Sequence, residues 1–205
     1  MSNLYFILAI IPAIVLHEVS HGYVAYLCGD PTAKESHRLT LNPLRHIDPF
    51  GTVILPALLI VSGLPAFGYA KPVPVNISRL RKPRTQSLYV SLAGPFTNIL
   101  LAALSYAVFK VAYHFPHDIV VLQAAAYFGL VNIFLAAFNL IPIPPLDGSA
   151  IIERFVPNRH LPRYYHFRAR ALPVVMVLII ANALVFHVGV NWLNDLETWW
   201  YNLLV

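Results

Sequence analysis

Mostly apolar residues fill four long stretches of the chain, 4 to 28, 88 to 113, 119 to about 141 and about 172 to 190. A transmembrane helix needs about 20 such residues, so each stretch is long enough to cross a bilayer. The stretches stop at residues that end helices. Gly29-Asp30-Pro31 follows the first and His114-Phe115-Pro116-His117-Asp118 the second, and Asn139-Leu140-Ile141-Pro142-Ile143-Pro144-Pro145-Leu146-Asp147-Gly148 breaks the third. Three prolines in four residues of that last segment exclude regular helix. A further apolar run, Phe50 to Tyr69, is punctuated by Gly51, Pro56, Gly63, Pro65 and Gly68. Asn191 to Val205 mixes Trp192, Trp199, Trp200 and Tyr201 with Asp195 and Glu197, the pattern of an amphipathic helix at a membrane interface. The predicted fold is an all-α polytopic membrane protein with four transmembrane helices, a re-entrant hairpin over 50 to 70 and a C-terminal interfacial helix.

Composition agrees, with 58% hydrophobic and 11% charged residues and a mean hydropathy of +0.65. Charge adds the topology. The net charge of +5 comes from three clusters, Lys34 to Arg45, Lys71 to Arg84 and Arg154 to Arg170, with only Lys110 outside them. Basic residues gathered between apolar spans are the mark of cytoplasmic loops, not of a nucleic-acid surface. Both flanks of the 50 to 69 run are basic, so that run is expected to dip into the membrane and return to the side it left. The N-terminus is then outside, 29 to 87 and 142 to 171 inside, and 114 to 118 and the C-terminus outside. No Lys or Arg precedes the first span and no small-residue cleavage site follows it, so it is expected to stay in the mature protein. Cys28 is the only cysteine, which leaves no intrachain disulfide and no cysteine-based metal cluster. Residues 1 to 205 read as one membrane domain, its core at about 4 to 150 and its C-terminal span and interfacial helix at about 172 to 205.

Chemistry concentrates in the first span, at His17-Glu18-Val19-Ser20-His21. On a helix, two histidines four residues apart share a face and can grip one metal ion. Glu18 lies about 100° round from His17, near the same cavity without being forced into coordination. A bound metal lowers the pKa of water and polarises a carbonyl, while a carboxylate takes the water proton. Catalytic zinc usually has three protein ligands, and Asp147, in the proline-broken segment, is the best third ligand, since span one and span three end at similar depth. Ionisable side chains inside a span are costly and functional by default. The alternative is a membrane metal transporter or metal-binding protein that uses the same ligands without hydrolysis.

Three segments, His17 to His21, Ala93-Gly94-Pro95-Phe96-Thr97-Asn98 and Asn139 to Gly148, resemble the motifs of the site-2 protease family of intramembrane metalloproteases. Gly68 to Asn76 also resembles the segment these proteins carry after the hairpin. The resemblance implies a zinc endopeptidase that cuts transmembrane segments of membrane proteins, as in regulated intramembrane proteolysis. It implies one zinc per chain held by His17, His21 and Asp147, with Glu18 as catalytic glutamate; the charge topology puts that site toward the cytoplasmic side of the cell membrane. Asn139 and Asn98 become candidates to hold the substrate backbone or oxyanion. Partners would be a single-span substrate and the lipid bilayer, not nucleic acid; oligomeric state stays open. Larger members carry a PDZ domain; no gap here is long enough for one. His46 and Asp48 read as solvated loop residues or a second metal site or gate. His114, His117, His160, His166 and His187 lack ligand-like spacing.

Overall fold

The computed structural model describes residues 2–62, 68–115, 118–181 and 190–204. Within them the protein is helical. Three helices are long and apolar enough to cross a membrane: α1 (Ser2–Leu27), α4 (Pro83–His114) and α5 (Ile119–Asn139). They are the first three expected spans, and they pack against one another to form the core. Lipid-facing residues such as Leu4, Leu8, Leu100 and Leu104 are exposed. The contacts between helices are made by small residues instead. Ala9 and Ala13 of α1 are buried against Val131 of α5, because small side chains let helix backbones approach where water cannot drive association.

Helix α1 ends where the glycine lies. Gly29 has φ +107°, a conformation closed to most residues, and the amide of Asp30 closes the turn on the Ala25 carbonyl. The Asp30 carboxylate is fully buried and accepts from the Thr32 amide and hydroxyl and from the Asn76 amide (2.6 Å). It thus ties the one-turn α2 (Thr32–Glu35) and the extended 68–76 segment to the end of α1.

The hairpin returns as its charged flanks require. Asp48 caps a wide helical turn over Pro49–Ile54 through the amides of Phe50 and Gly51, and α3 (Leu55–Val61) follows. These 13 residues rise about 20 Å, short of the roughly 30 Å hydrocarbon core. The chain comes back beside its point of entry: the Tyr69 amide donates to the Gly51 carbonyl (3.1 Å) and the Lys71 amide to the His46 carbonyl (2.9 Å). The intervening part, with Gly63 and Pro65, lies outside the described residues.

His46 corrects an expectation. It is 3% exposed rather than solvated, because its Nε2 donates to the Thr40 carbonyl while its own carbonyl anchors the hairpin's return. Buried Arg38 secures the same returning segment by donating to the Lys71 carbonyl (2.8 Å).

After α5 the irregular 140–148 segment leads into the short α6 (Ser149–Glu153). Its last residue, Glu153, is 1% exposed and accepts from Ser87 of α4 and from Tyr165 and Arg168 of α7 (Leu161–Ala181). That buried carboxylate therefore joins three elements on one side of the bundle. Residues 172 to 181 of the expected fourth span are helical; the rest of it, with His187, lies outside the described residues, as does His117. The expected amphipathic helix is α8 (Val190–Leu204). Trp200 on α8 is buried against α5, its indole N–H on the Ala126 carbonyl (2.9 Å), while Trp199 stays half exposed. Gly129 makes room for that indole, since a Cβ there would collide with it.

Candidate metal centre

Helix α1 carries both histidines on the face turned toward α4 and α5, and both are buried. The loop that ends α5 brings Asp147 to them. It is closed by a backbone bond from the Gly148 amide to the Asn139 carbonyl (2.7 Å), and the Ala150 amide starts α6 on the Asp147 carbonyl. The Asp147 side chain is left free of both bonds. His17 Nε2 and His21 Nε2 stand 3.0 Å apart, and Asp147 Oδ2 lies 3.1 Å from the first and 3.3 Å from the second. The two rings are nearly perpendicular, at 85°.

The other nitrogen of each ring explains why these three atoms face inward. His21 Nδ1 lies 2.6 Å from the Val90 carbonyl of α4, and a carbonyl can only accept, so Nδ1 carries the proton. His17 Nδ1 lies 2.5 Å from Asn98 Oδ1, also an acceptor. With that proton on Nδ1, each imidazole in its neutral form presents its Nε2 lone pair next to a carboxylate oxygen. In that form three acceptors converge with no donor between them, the chemistry of a cation site. Their spacing fits zinc: ligand atoms about 2.1 Å from a tetrahedral ion stand about 3.4 Å apart. Among the described residues these three form the only group of three or more His, Cys, Asp or Glu side chains poised to hold a metal.

A further fit lies on α4. A Cβ at Gly94 would come within 2.5 Å of His17 Cε1, His17 Nε2 and His21 Nε2, so only glycine leaves space over the converging atoms. Gly94→Ala is therefore expected to lower zinc affinity at least about tenfold, since the clash falls on the ligand atoms themselves. Helix content should hold, because alanine is the better helix former. Zinc content after dialysis, read beside circular dichroism, checks both halves.

The remaining sequence candidates fall in different places. Glu18 does not join the three-atom group; its Oε2 accepts the Val73 amide (2.8 Å) from the extended segment behind the hairpin. Gly22 permits that approach, for a Cβ there would sit 2.7 Å from Val73 Cγ1. Asn98 is fully buried behind His17. Its oxygen meets His17, and its nitrogen donates to Asn132 Oδ1 (2.7 Å) and, more weakly, to the Ala13 carbonyl (3.4 Å). Asn139 bonds back to its own helix through Nδ2 on the Leu135 carbonyl (3.0 Å), and its main chain closes the Asp147 loop. Asp48 is a helix cap. Sequence reasoning missed Asn132, Gly94 as a steric requirement, and the Val73 amide and Val90 carbonyl. The two backbone groups have no residue identity to find; Asn132, an amide in the middle of a span, was the signal available.

The model of peptidase family M50 matches residues 5–122 and 111–182. A putative zinc metalloprotease of Bacillus subtilis, YwhC, is 40% identical over 159 residues, covering 75% of this chain and 69% of the relative. The putative zinc metalloprotease Rip2 of Mycolicibacterium smegmatis is 30% identical over 190 residues, 93% of this chain and 70% of its own length. Its namesake in Mycobacterium tuberculosis strain H37Rv is 30% identical over 188 residues, 90% and 71% of the two chains. No solved structure matches.

Proposed function

Because this chain belongs to peptidase family M50, and so is a multi-pass membrane zinc metalloprotease of the site-2 protease type, we propose that it is an endopeptidase cutting single-span membrane proteins within or near the bilayer. The observation that carries this is the convergence of Asp147 Oδ2 with His17 Nε2 and His21 Nε2 within 3.3 Å, the two histidines lying on a helix apolar and long enough to cross the membrane. A protease whose centre is built into such a helix meets peptide bonds of other membrane segments.

In this proposal His17, His21 and Asp147 hold one zinc ion. Bound there, zinc lowers the pKa of water and polarises a peptide carbonyl. Glu18 is the general base: it takes the water proton and passes it to the departing amine. The Val73 amide at its carboxylate holds Glu18 in place. The substrate must be locally unwound, because a helical peptide bond is shielded and its carbonyl is already bonded. The three basic clusters favour a site open toward the cytoplasmic side of the cell membrane. The hairpin, whose two ends are clamped by His46, Arg38 and Gly51, would border the substrate's path. Membership of a peptidase family favours hydrolysis over metal transport at this site.

The test is reconstitution of purified protein with a single-span substrate in vesicles. Cleavage should stop on chelation of zinc and return on its replacement. Mass spectrometry should map the cut to the substrate's apolar stretch or its border. Zinc-independent cleavage, or a cut confined to soluble regions of the substrate, overturns the proposal.

A further inference from the structure

The two metal-site histidines are anchored differently. His21 Nδ1 rests directly on a backbone carbonyl, that of Val90. His17 Nδ1 rests on a side-chain amide, that of Asn98, which by itself could turn either its oxygen or its NH2 toward the ring. If the NH2 faced the ring, Nδ1 would have to accept, the proton would move to Nε2, and the lone pair needed at the centre would be lost.

The Ala13 carbonyl holds the amide only weakly, at 3.4 Å, and the stronger hold lies one helix further away. Asn98 Nδ2 donates to Asn132 Oδ1 at 2.7 Å, and Asn132 Nδ2 donates to the Phe128 carbonyl at 2.8 Å. A carbonyl cannot donate, so the direction of the whole chain is set at Phe128: carbonyl, Asn132, Asn98, His17, with each group donating toward α5. Both asparagines are 0% exposed, so no water competes for these atoms. We propose that Asn132 is a positioning residue for the metal centre, holding Asn98 in the one orientation that keeps the His17 proton on Nδ1 and its Nε2 lone pair on the metal. This rests on the zinc-protease assignment above. A mere packing bond between α4 and α5 would give the same distances but no hold on the imidazole.

The experiment follows the imidazole protons directly. Metal-free protein with 15N-labelled histidine, in nanodiscs at a pH where the imidazoles are neutral, should show His17 and His21 both protonated on Nδ1. Asn132→Leu should turn His17 into a mixture of tautomers and leave His21 unchanged. Zinc affinity, measured by competition with a chelating dye, should fall about 10- to 100-fold in that variant. Asn132→Asp should restore both readouts, since a carboxyl can accept from Asn98 and, protonated, donate to Phe128.

A wild-type His17 protonated on Nε2 overturns the proposal without any variant, even if Asn132→Leu fails to fold. So does an Asn132→Leu protein that keeps the Nδ1 proton, whether its zinc affinity holds or falls. His17→Ala is the reference for the site itself. If it binds zinc as tightly as wild type, the metal assignment fails and the positioning role with it, whereas loss of zinc there with an unmoved Asn132→Leu sinks only the positioning role.

Discussion

Glu18→Gln is expected to cut the rate of substrate cleavage about 10²- to 10⁴-fold, the usual contribution of a general base, while leaving bound zinc unchanged. That range corresponds to about 3 to 5 kcal/mol of barrier. The substitution removes little else. Glutamine keeps the length of the side chain, and its carbonyl oxygen can still accept the Val73 amide that Oε2 accepts at 2.8 Å, so the contact between α1 and the extended segment survives. What disappears is the capacity to take a proton. Glu18 stands outside the group formed by His17, His21 and Asp147, which is why zinc should stay. Turnover of a reconstituted single-span substrate, measured beside zinc content by atomic emission, separates the outcomes. Normal cleavage would remove Glu18 from the mechanism; lost zinc would make it a ligand. Glu18→Asp, about one methylene short, should lose less than Glu18→Gln only if the shorter carboxylate still reaches the same water.

The ease with which Glu18 was found in the sequence, and the difficulty with Val73 and Asn132, have physical causes. A membrane core has no water to satisfy charge, so His17, Glu18 and His21 inside a 24-residue apolar helix stand out at once. Likewise, basic clusters report the side of the membrane and so distinguished a returning hairpin from a crossing one before the Tyr69 to Gly51 bond could be seen. Proline chemistry ended α5 at Asn139 and marked the loop that carries Asp147. Partners supplied by the main chain were invisible, because the Val90 carbonyl and the Val73 amide would be present whatever residues stood there. His46 was misjudged for a related reason: loop histidines are usually solvated, and only the clamp between Thr40 and Lys71 buries this one. The partners of Asn98 were hidden because its motif is linear, whereas its hydrogen bonds reach 81 residues back to His17 and 34 forward to Asn132.

Asp147→Asn should lower zinc affinity by more than the roughly 10- to 100-fold that loss of an outer partner costs, and abolish cleavage with it. The two imidazoles bring lone pairs but no charge, since each keeps its one proton on Nδ1 against Asn98 or Val90. Asp147 is therefore the group among the three that offsets the charge of a divalent ion in a site where both histidines are buried. An amide keeps the shape and one oxygen but supplies no negative charge, and low surrounding polarity makes that charge count for more than it would in water. The loop should not change, because it is closed by main-chain bonds, Gly148 to Asn139 and Ala150 to Asp147, in which the Asp147 side chain takes no part. Helical circular dichroism should accordingly match wild type while zinc is lost on dialysis against a weak chelator. The contrast with Glu18→Gln is the decisive comparison: one substitution silences the enzyme with its metal in place, the other by emptying the site. An Asp147→Asn protein that keeps its zinc would mean that the third ligand lies elsewhere, and that the 3.1 and 3.3 Å approaches of Oδ2 to the imidazoles are hydrogen bonds to a protonated histidine instead of the spacing of three metal ligands.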